Sequence, residues 1–555
     1  FSDKQILPAI YYLINSIIEA VFFVTSSHKM EGFSPYYDAI ILGTGLKECL
    51  LSGLLSVSGY KVLHIDKNSY YGAESASLNI QQLYQQFRPG MEPPKRFGAT
   101  TREWKQWNID LFPKFVLSAG ALVSTLVHTN TTHYLNFKVI DGSYVYSPAK
   151  GGCIHRVPAT VKEAIASKLM KFGEKRRMAS LLELIQKECD PEQPSTRDLT
   201  GLTMKELFAE FSLQESTQDF IGHAMGLWRD DSYLERPAKE TCDRIFLYAR
   251  SLAKFGSSPY IYPEYGLGEL PQGFSRLASV FGGVYMIRID VQELLYNEDG
   301  TFRGIRAKND EDIEFEAYAK WCIGAPSYFP REMTKVSHSV ARAVCILDKP
   351  IAGSDYSKSQ KDKDKKKKNP KHRLSSLPGF FPSCQIIIPQ KTVHRRHDVY
   401  VSGMGTYYKS CPPNFMLGYV STTVETDSPR DELKPGLELL NKSGGLIDSF
   451  ETVNEILVGA DGIEKKSVWI TSSYDETSHF ETSISEVMEL FEKITGEKVD
   501  LSKPPSDPQD IVKLVEARNK YLLELYGSLE AGERKETEED GEKEIKEVAE
   551  EIDQM

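Results

Sequence analysis

Residues 36–66 read YYDAIILGTGLKECLLSGLLSVSGYKVLHID, and their order decides the fold. Residues 37–42 (YDAIIL) are a short apolar run that predicts a strand, and it ends in the turn Gly43-Thr44-Gly45. Leu46, Cys49, Leu50, Gly53, Leu54 and Val57 then recur at helical spacing. KVLHI at 61–65 predicts a second strand, closed by Asp66. Strand, glycine turn, helix, strand and acid form the opening βαβ unit of a dinucleotide-binding fold. Such a site wants Gly-x-Gly-x-x-Gly. The second glycine lets the backbone approach a pyrophosphate, and the third lets the helix pack near the strand. Here the three positions are Gly43, Gly45 and Glu48. A carboxylate in the first helical turn suits the helix dipole but opposes a bound pyrophosphate. Asp66 stands where the ribose-binding acid belongs. The expectation is therefore a fold retained without its cofactor, with Gly43, Gly45 and Asp66 as vestiges of the binding positions.

Working outward, 555 residues exceed one ordinary core, so two or more domains are expected. Hydrophobic residues at 41% and charged residues at 26% place the chain among globular proteins. The formal charge of -11 gives no global basic field, so nucleic acid is not an expected partner. Both charge biases are local. Residues 530–555 hold twelve acids and four bases, while residues 358–373 hold nine bases and two acids. Eight cysteines lie scattered without a Cys-x-x-Cys pair, so neither a disulfide framework nor a zinc site is expected, and no metal is assigned. A reducing, cytosolic setting fits them best.

The first 35 residues read as an extension. Residues 6–24 are apolar enough to suggest a membrane span, but they include Pro8, Asn15 and Glu19 and lack a basic flank or cleavage site. Met30 opens a segment that reads as an ordinary cytosolic start. From 157 to 254 the texture is helical. Ala164, Ile165, Leu169, Met170 and Phe172 share one helical spacing, and Met178, Leu181, Leu182 and Ile185 share another. Thr203 with Glu206 reads as a capping box, and Ser216 with Asp219 as a second helix start before Phe220, Ile221, Ala224, Met225 and Trp228. Strands are expected again at 284–289, 302–307, 340–347, 385–388, 399–402, 416–424 and 468–471, followed by an amphipathic helix over 481–495. A Lys/Ser/Pro-rich loop interrupts them at 354–382. Residues 501–555 end in the acidic tail.

Catalytic motifs are missing: the sequence holds no Gly-x-Ser-x-Gly, Walker lysine loop or His-Glu-x-x-His. His64 is expected to pack within its strand, and His155, His223 and His479 are isolated in sequence.

The opening stretch to SYYGAESASL resembles the start of the Rab GDP-dissociation inhibitors. So do WNIDLFPKF at 107–115, SPYIYPEYGLGELPQGFSRL at 258–277, SCQIIIPQ at 383–390, VSTTVET at 420–426 and YDETSHFET at 474–482. The similarity runs from about residue 36 to 500. It implies an α/β, flavoprotein-like (FAD/NAD-binding-type) βαβ scaffold of mixed sheets over 36–156 and 255–500, with an inserted all-helical domain over 157–254. It implies a non-enzymatic binding protein without cofactor, in which the departure at Glu48 has a sense. Such a protein holds prenylated, GDP-bound Rab GTPases soluble, blocks GDP release, extracts them from membranes and recycles them in vesicle traffic. A cytoplasmic monomer that makes transient membrane contact with its Rab is expected. The resemblance also implies a Rab-binding platform. Tyr71 matches its tyrosine, although Ser69 replaces the usual proline. Glu269, Arg276 and Met286 match further platform positions, whereas Val284 replaces a Thr and Lys254 an Arg that Lys cannot match in bidentate bonding. An internal ion pair is the alternative for Glu269 and Arg276. The helical insertion resembles the family's geranylgeranyl-binding domain, its groove lined by Leu181, Leu182, Ile185, Ile221, Gly222, Met225 and Gly226. Interior glycines cost about 1 kcal/mol each against alanine, so either a groove or close helix packing should offset Gly222 and Gly226. A larger side chain at Gly222 is expected to fill the groove. A Rab escort protein that presents Rab to the prenyltransferase shares these features and is the near alternative. A flavin-dependent oxidoreductase is the alternative of a different class.

Overall fold

The computed structural model describes residues 35–148, 152–158, 170–354 and 379–501. The opening unit forms as the sequence predicts: β1 (Tyr36–Leu42), α1 (Leu46–Val57) and β2 (Val62–Asp66). β1 and β2 run parallel, with Ala39 opposite Val62 and Leu42 opposite Ile65. Their interiors are buried on both faces, which is why each reads as a near-continuous apolar run. Gly43 turns the chain at φ +98°, a conformation that favours glycine, and a Cβ there would meet Tyr328 at 3.0 Å.

Beyond Cys153–Arg156 the next described elements form a helical segment. It comprises α2 (Phe172–Cys189), Met204–Glu210, Glu215–Asp219, a π-helical turn Phe220–Met225 and α3 (Ala238–Phe255). The capping box of Thr203 and Glu206 forms as read. The second start does not: Gln214, not Ser216, precedes the helix, and Ser216 already lies within it. The scaffold resumes with Tyr260–Pro263, α4 (Glu269–Val280) and β3 (Val284–Ile287). The expected strand at 284–289 is shorter, because Arg288 takes a left-handed φ of +58° and ends it.

Two seven-stranded mixed sheets result. In the first the order is β3, β2, β1, Glu314–Gly324, Phe302–Lys308 and Asp290–Tyr296, with Val468–Ile470 also pairing Glu314–Gly324. The second runs Leu446–Gly459, Thr334–Leu347, Met416–Thr423, Val399–Gly405, Cys384–Ile388, Gly142–Ser147 and Cys153–Arg156. The segment on the N-terminal side of the helices thus supplies two strands to a sheet completed far downstream. All of α1 is buried, because α4 and α5 (Glu481–Thr495) both pack against it. Gly53 permits the approach: a Cβ would sit 3.3 Å from both Leu277 and Phe274.

The apolar N-terminal run, the expected turns around Ala164, Ile165 and Leu169, the Lys-rich centre of 354–382 and the acidic tail lie outside the described residues. The ends of the 354–382 segment are not solvated loop. Ser354 is fully buried and its carbonyl accepts the Tyr144 hydroxyl at 3.1 Å. Among the described residues no helix is long and apolar enough to cross a membrane.

Candidate functional site

At the carboxyl ends of β1 and β2, where an open parallel sheet offers a dinucleotide its crevice, the chain's own groups occupy the binding positions. Glu48 is buried, and its carboxylate folds back over Gly45, so that a Cβ at Gly45 would lie 2.4 Å from Glu48 Oε2. The Thr471 hydroxyl donates to Glu48 Oε1 at 2.5 Å. Burial pushes the Glu48 carboxyl up to about 7, against the opposing effect of the Thr471 bond. A carboxylate on the first turn of α1 thus takes the place where a pyrophosphate would meet the helix N-terminus. Asp66 is equally engaged. Its Oδ2 accepts Thr44 N–H at 2.7 Å and the Thr44 hydroxyl at 2.5 Å. Its Oδ1 accepts Asn68 N–H at 2.7 Å, Asn68 Nδ2 at 2.8 Å and the Tyr328 hydroxyl at 3.0 Å. A ribose would have to displace these bonds. A cavity of about 170 Å³ remains beside the corner, lined by Glu48, Lys67, Glu74, Tyr328 and Arg342 among others.

The residues expected to form a platform gather around one edge of the first sheet. β3 is the edge strand, with Tyr285 opposite His64 and Met286 opposite Ile65. Tyr71, in the loop after β2, lies with its ring 6.1 Å from that of Tyr285. α4 leads into β3 and presents Gln272 and Arg276 to solvent, with Glu269 half-buried on the same helix. Glu269 and Arg276 do not pair: among the described residues neither makes an ion pair, and Arg276 sits 6.0 Å from the exposed Tyr134 ring. Met286 packs toward the core on the far face of the sheet, alternate to Tyr285. Lys254 stands apart from this group: near the end of α3 its ammonium donates to Ser118 O at 2.8 Å. Gln272 and Tyr134 were not singled out from the sequence. Helical spacing from Glu269 puts Gln272 on the face of Arg276, so that signal was available. Tyr134 reaches the group only through tertiary packing.

The residues expected to line an apolar groove are packed together here. Leu181, Ile185 and Ile221 are fully buried, Met225 nearly so, and Leu182 packs partly against the same core. α3 packs against both α2 and the 220–225 turn. Gly222 and Gly226 lie in and beside a π-helical turn, not in a regular α-helix. The π geometry shows in Gly226 N–H reaching back to Ile221 O at 2.8 Å. The space that Gly222 leaves is filled by Tyr233: a Cβ at 222 would sit 2.1 Å from its hydroxyl. Close packing therefore offsets this glycine, and Gly222→Leu cannot serve as a clean groove-filler. Gly222→Ala is expected to cost about 1–3 kcal/mol by overpacking. A thermal melt of the variant checks this, and an unchanged melting temperature would contradict the packing of Tyr233.

His64 packs within its strand, as expected. His64 is fully buried, its Nε2 lies 2.6 Å from Gly43 O, and burial lowers its pKa to about 4. His479 is also fully buried and held near 3, again by desolvation. His223 is not isolated in space; it joins Asp231 and Asp398. Lys391 places its ammonium among the carboxylates of Glu215, Asp219 and Asp231, at 3.0, 2.8 and 3.2 Å.

Comparison with known proteins follows this architecture closely. The profile of the family described as "GDP dissociation inhibitor" matches residues 33–368 and 380–506. A probable secretory pathway GDP dissociation inhibitor 1 of Schizosaccharomyces pombe is 45% identical over 471 residues, covering 84% of this chain and 98% of that protein. The Rab GDP-dissociation inhibitor of Saccharomyces cerevisiae is 40% identical over 474 residues, covering 84% and 96%. The crystal structure of Rab GDI from Plasmodium falciparum aligns with a TM-score of 0.73 at 36% identity, covering 84% of this chain and all of that one. With both sheets and the helical segment matched alike, the chain belongs to the GDP dissociation inhibitor family.

Proposed function

We propose that this chain is a Rab GDP-dissociation inhibitor: it binds GDP-bound Rab GTPases, slows GDP release and serves vesicle traffic by recycling them. The observation that carries this reading is the family match across almost the whole described body. The corner filled by Glu48 and Asp66 is consistent with it, since a fold whose nucleotide crevice holds its own carboxylates is free to act as a binding scaffold. The action needs no chemistry. A GTPase switch region loosens when the γ-phosphate is lost. A rigid surface complementary to the loosened form selects it and holds the nucleotide in place. Tyr71, Glu269, Arg276 and Met286 are the residues assigned to that surface, with Gln272 and Tyr134 added on geometric grounds, and Lys254 is assigned a role beside it.

The finer reading is a cytoplasmic monomer that also takes the Rab's isoprenoid, contacting membranes only transiently. The helical segment supplies the apolar face. A geranylgeranyl chain of about 20 carbons, at about 0.8 kcal/mol per buried CH₂, gives an upper limit on the order of 16 kcal/mol. A carrier must offer burial on that scale to compete with a bilayer. Because Leu181, Ile185 and Ile221 are buried here, that face has to open first.

The test is release of a fluorescent GDP analogue from Rab with and without saturating protein, beside extraction of prenylated Rab from vesicles. Release at least tenfold slower, together with extraction, is expected. Unaltered release would overturn the reading. The purified protein is also expected to be colourless. Stoichiometric flavin or NAD after gentle purification would favour an oxidoreductase.

A further inference from the structure

The π-helical turn Phe220–Met225 is held by an ionic contact that crosses from the helical segment to the scaffold. π turns are rare and persist where side chains or function hold them. Here the holder is His223, which is buried within the turn. Its Nδ1 lies 2.8 Å from Asp398 Oδ2 and 3.0 Å from Trp228 O. Its Nε2 lies 3.1 Å from Asp231 Oδ1. With an acceptor facing each nitrogen, both nitrogens carry protons and the ring is a cation. Burial alone would favour the neutral ring, but Asp398 and Asp231 outweigh it and push the pKa up to about 10. Asp398 is fully buried and immediately precedes the strand Val399–Gly405. Its other oxygen accepts Gln390 N–H at 2.9 Å, so the anchor is fixed to the second sheet. Past the turn, Leu227 takes a left-handed φ of +56°, a costly conformation for a non-glycine residue. Backbone strain thus sits just beyond the turn, and a buried ion pair joins the turn to the second sheet.

We propose that His223 and Asp398 form a latch that holds Phe220–Met225 in its π register, and that its release lets the turn relax to α-helix and opens the apolar face of the helical segment. A π turn holds one more residue than an α turn. Losing it rotates Ile221, Gly222 and Met225 relative to α3 by about the 100° that one residue spans in an α-helix. Ile221 then leaves its buried position and Tyr233 leaves the notch at Gly222. The surrounding charges favour the latched state: Lys391 ties Glu215 and Asp219, the first and last residues of the helix that leads into the turn, to Asp231 beyond it. This assignment makes His223 a positioning residue, and it rests on the reading above that this face takes an isoprenoid.

The test uses the full chain with Asp398→Asn and, separately, Asp231→Asn. Amide hydrogen exchange over 220–231 is expected to quicken at least tenfold in Asp398→Asn, with β1 and β2 unchanged. Affinity for a geranylgeranyl-cysteine peptide should rise at least threefold, because the closed state competes less. Asp231 is one-third exposed, so its variant leaves the core intact and should show both effects at smaller size. Unchanged exchange in either folded variant overturns the latch. Faster local exchange without tighter peptide binding overturns its link to opening. Should Asp398→Asn fail to fold, Asp231→Asn alone decides. Binding of unprenylated GDP-loaded Rab is measured alongside. Its absence in the unaltered protein counts against the functional reading, whereas normal Rab binding with unchanged exchange counts against the latch alone.

Discussion

Glu48→Gln is expected to stabilise the protein at pH 8 by about 3 kcal/mol and at pH 5 by about 1 kcal/mol or less. The carboxyl is buried and titrates near 7 in the folded chain against an ordinary value near 4.5, chiefly through desolvation. A carboxyl raised in this way favours folding only while it is protonated. Its contribution is full below about 4.5 and is lost as the pH rises through 7. At about 1.36 kcal/mol per pH unit, the displacement amounts to about 3 kcal/mol once the group is ionised in both states. Glutamine keeps an oxygen to accept the Thr471 hydroxyl and carries no charge at any pH. The comparison is a denaturant midpoint for both proteins at the two pH values. Equal stabilities at pH 8 would show that Glu48 is not held as a buried acid. A loss at pH 8 would show that its negative charge is needed at the N-terminus of α1, where the dipole favours it.

Either outcome bears on how this fold fills the positions that a pyrophosphate takes in a dinucleotide enzyme. In a dinucleotide enzyme the first turn of the helix presents bare N–H groups to the phosphates, and the acid after β2 awaits a ribose. Here Glu48 lies on that first turn, and Asp66 is committed to Thr44, Asn68 and Tyr328. The crevice thus holds the chain's own carboxylates, with a cavity of about 170 Å³ beside them.

The opening βαβ unit was legible because its determinants are local: an apolar run buried on both faces, a glycine at positive φ and a helical period. Thr203 and Glu206 were legible for the same reason. Other strands were not, among them Gly142–Ser147, Cys153–Arg156, Asp290–Tyr296, Glu314–Gly324 and Leu446–Gly459. Leu446–Gly459 lies at a sheet edge and is half-buried over most of its length, so acids, Ser, Thr and Asn interrupt its apolar pattern. Gly142–Ser147 pairs with Cys384–Ile388 across more than two hundred residues, a partnership no local period encodes. The candidate platform was reached through resemblance, since Tyr71, Glu269, Arg276 and Met286 share no spacing. Where spacing was used, at Gly222 and Gly226, it gave an α-helix and missed the π turn. That turn depends on Asp398, 175 residues away from His223, and a histidine read in isolation shows no such partner.

Arg276→Ala is expected to weaken binding of unprenylated, GDP-loaded Rab by about 2 kcal/mol or more, close to thirtyfold in Kd, the loss typical of a central interface anchor. The fold should not suffer. Arg276 is exposed on α4, and the contact identified for it is the Tyr134 ring at a 6.0 Å centroid distance. A cation–π contact of that kind at an exposed site is worth about 0.5–1 kcal/mol at most. Arg276→Lys separates charge from shape: it keeps the positive charge but loses the planar fork that pairs a carboxylate at two points. If the guanidinium meets a Rab carboxylate in bidentate fashion, Lys should recover less than half of the lost free energy. If only long-range attraction is at work, Lys should recover most of it, and added salt should weaken both proteins alike. Titration of labelled Rab at two salt concentrations, beside a melting curve for each variant, distinguishes these cases. Full Rab affinity in Arg276→Ala would remove α4 from the interface. A large fall in melting temperature would mean instead that Arg276 holds the helix in place, and the edge of the first sheet would lose its claim as the binding surface.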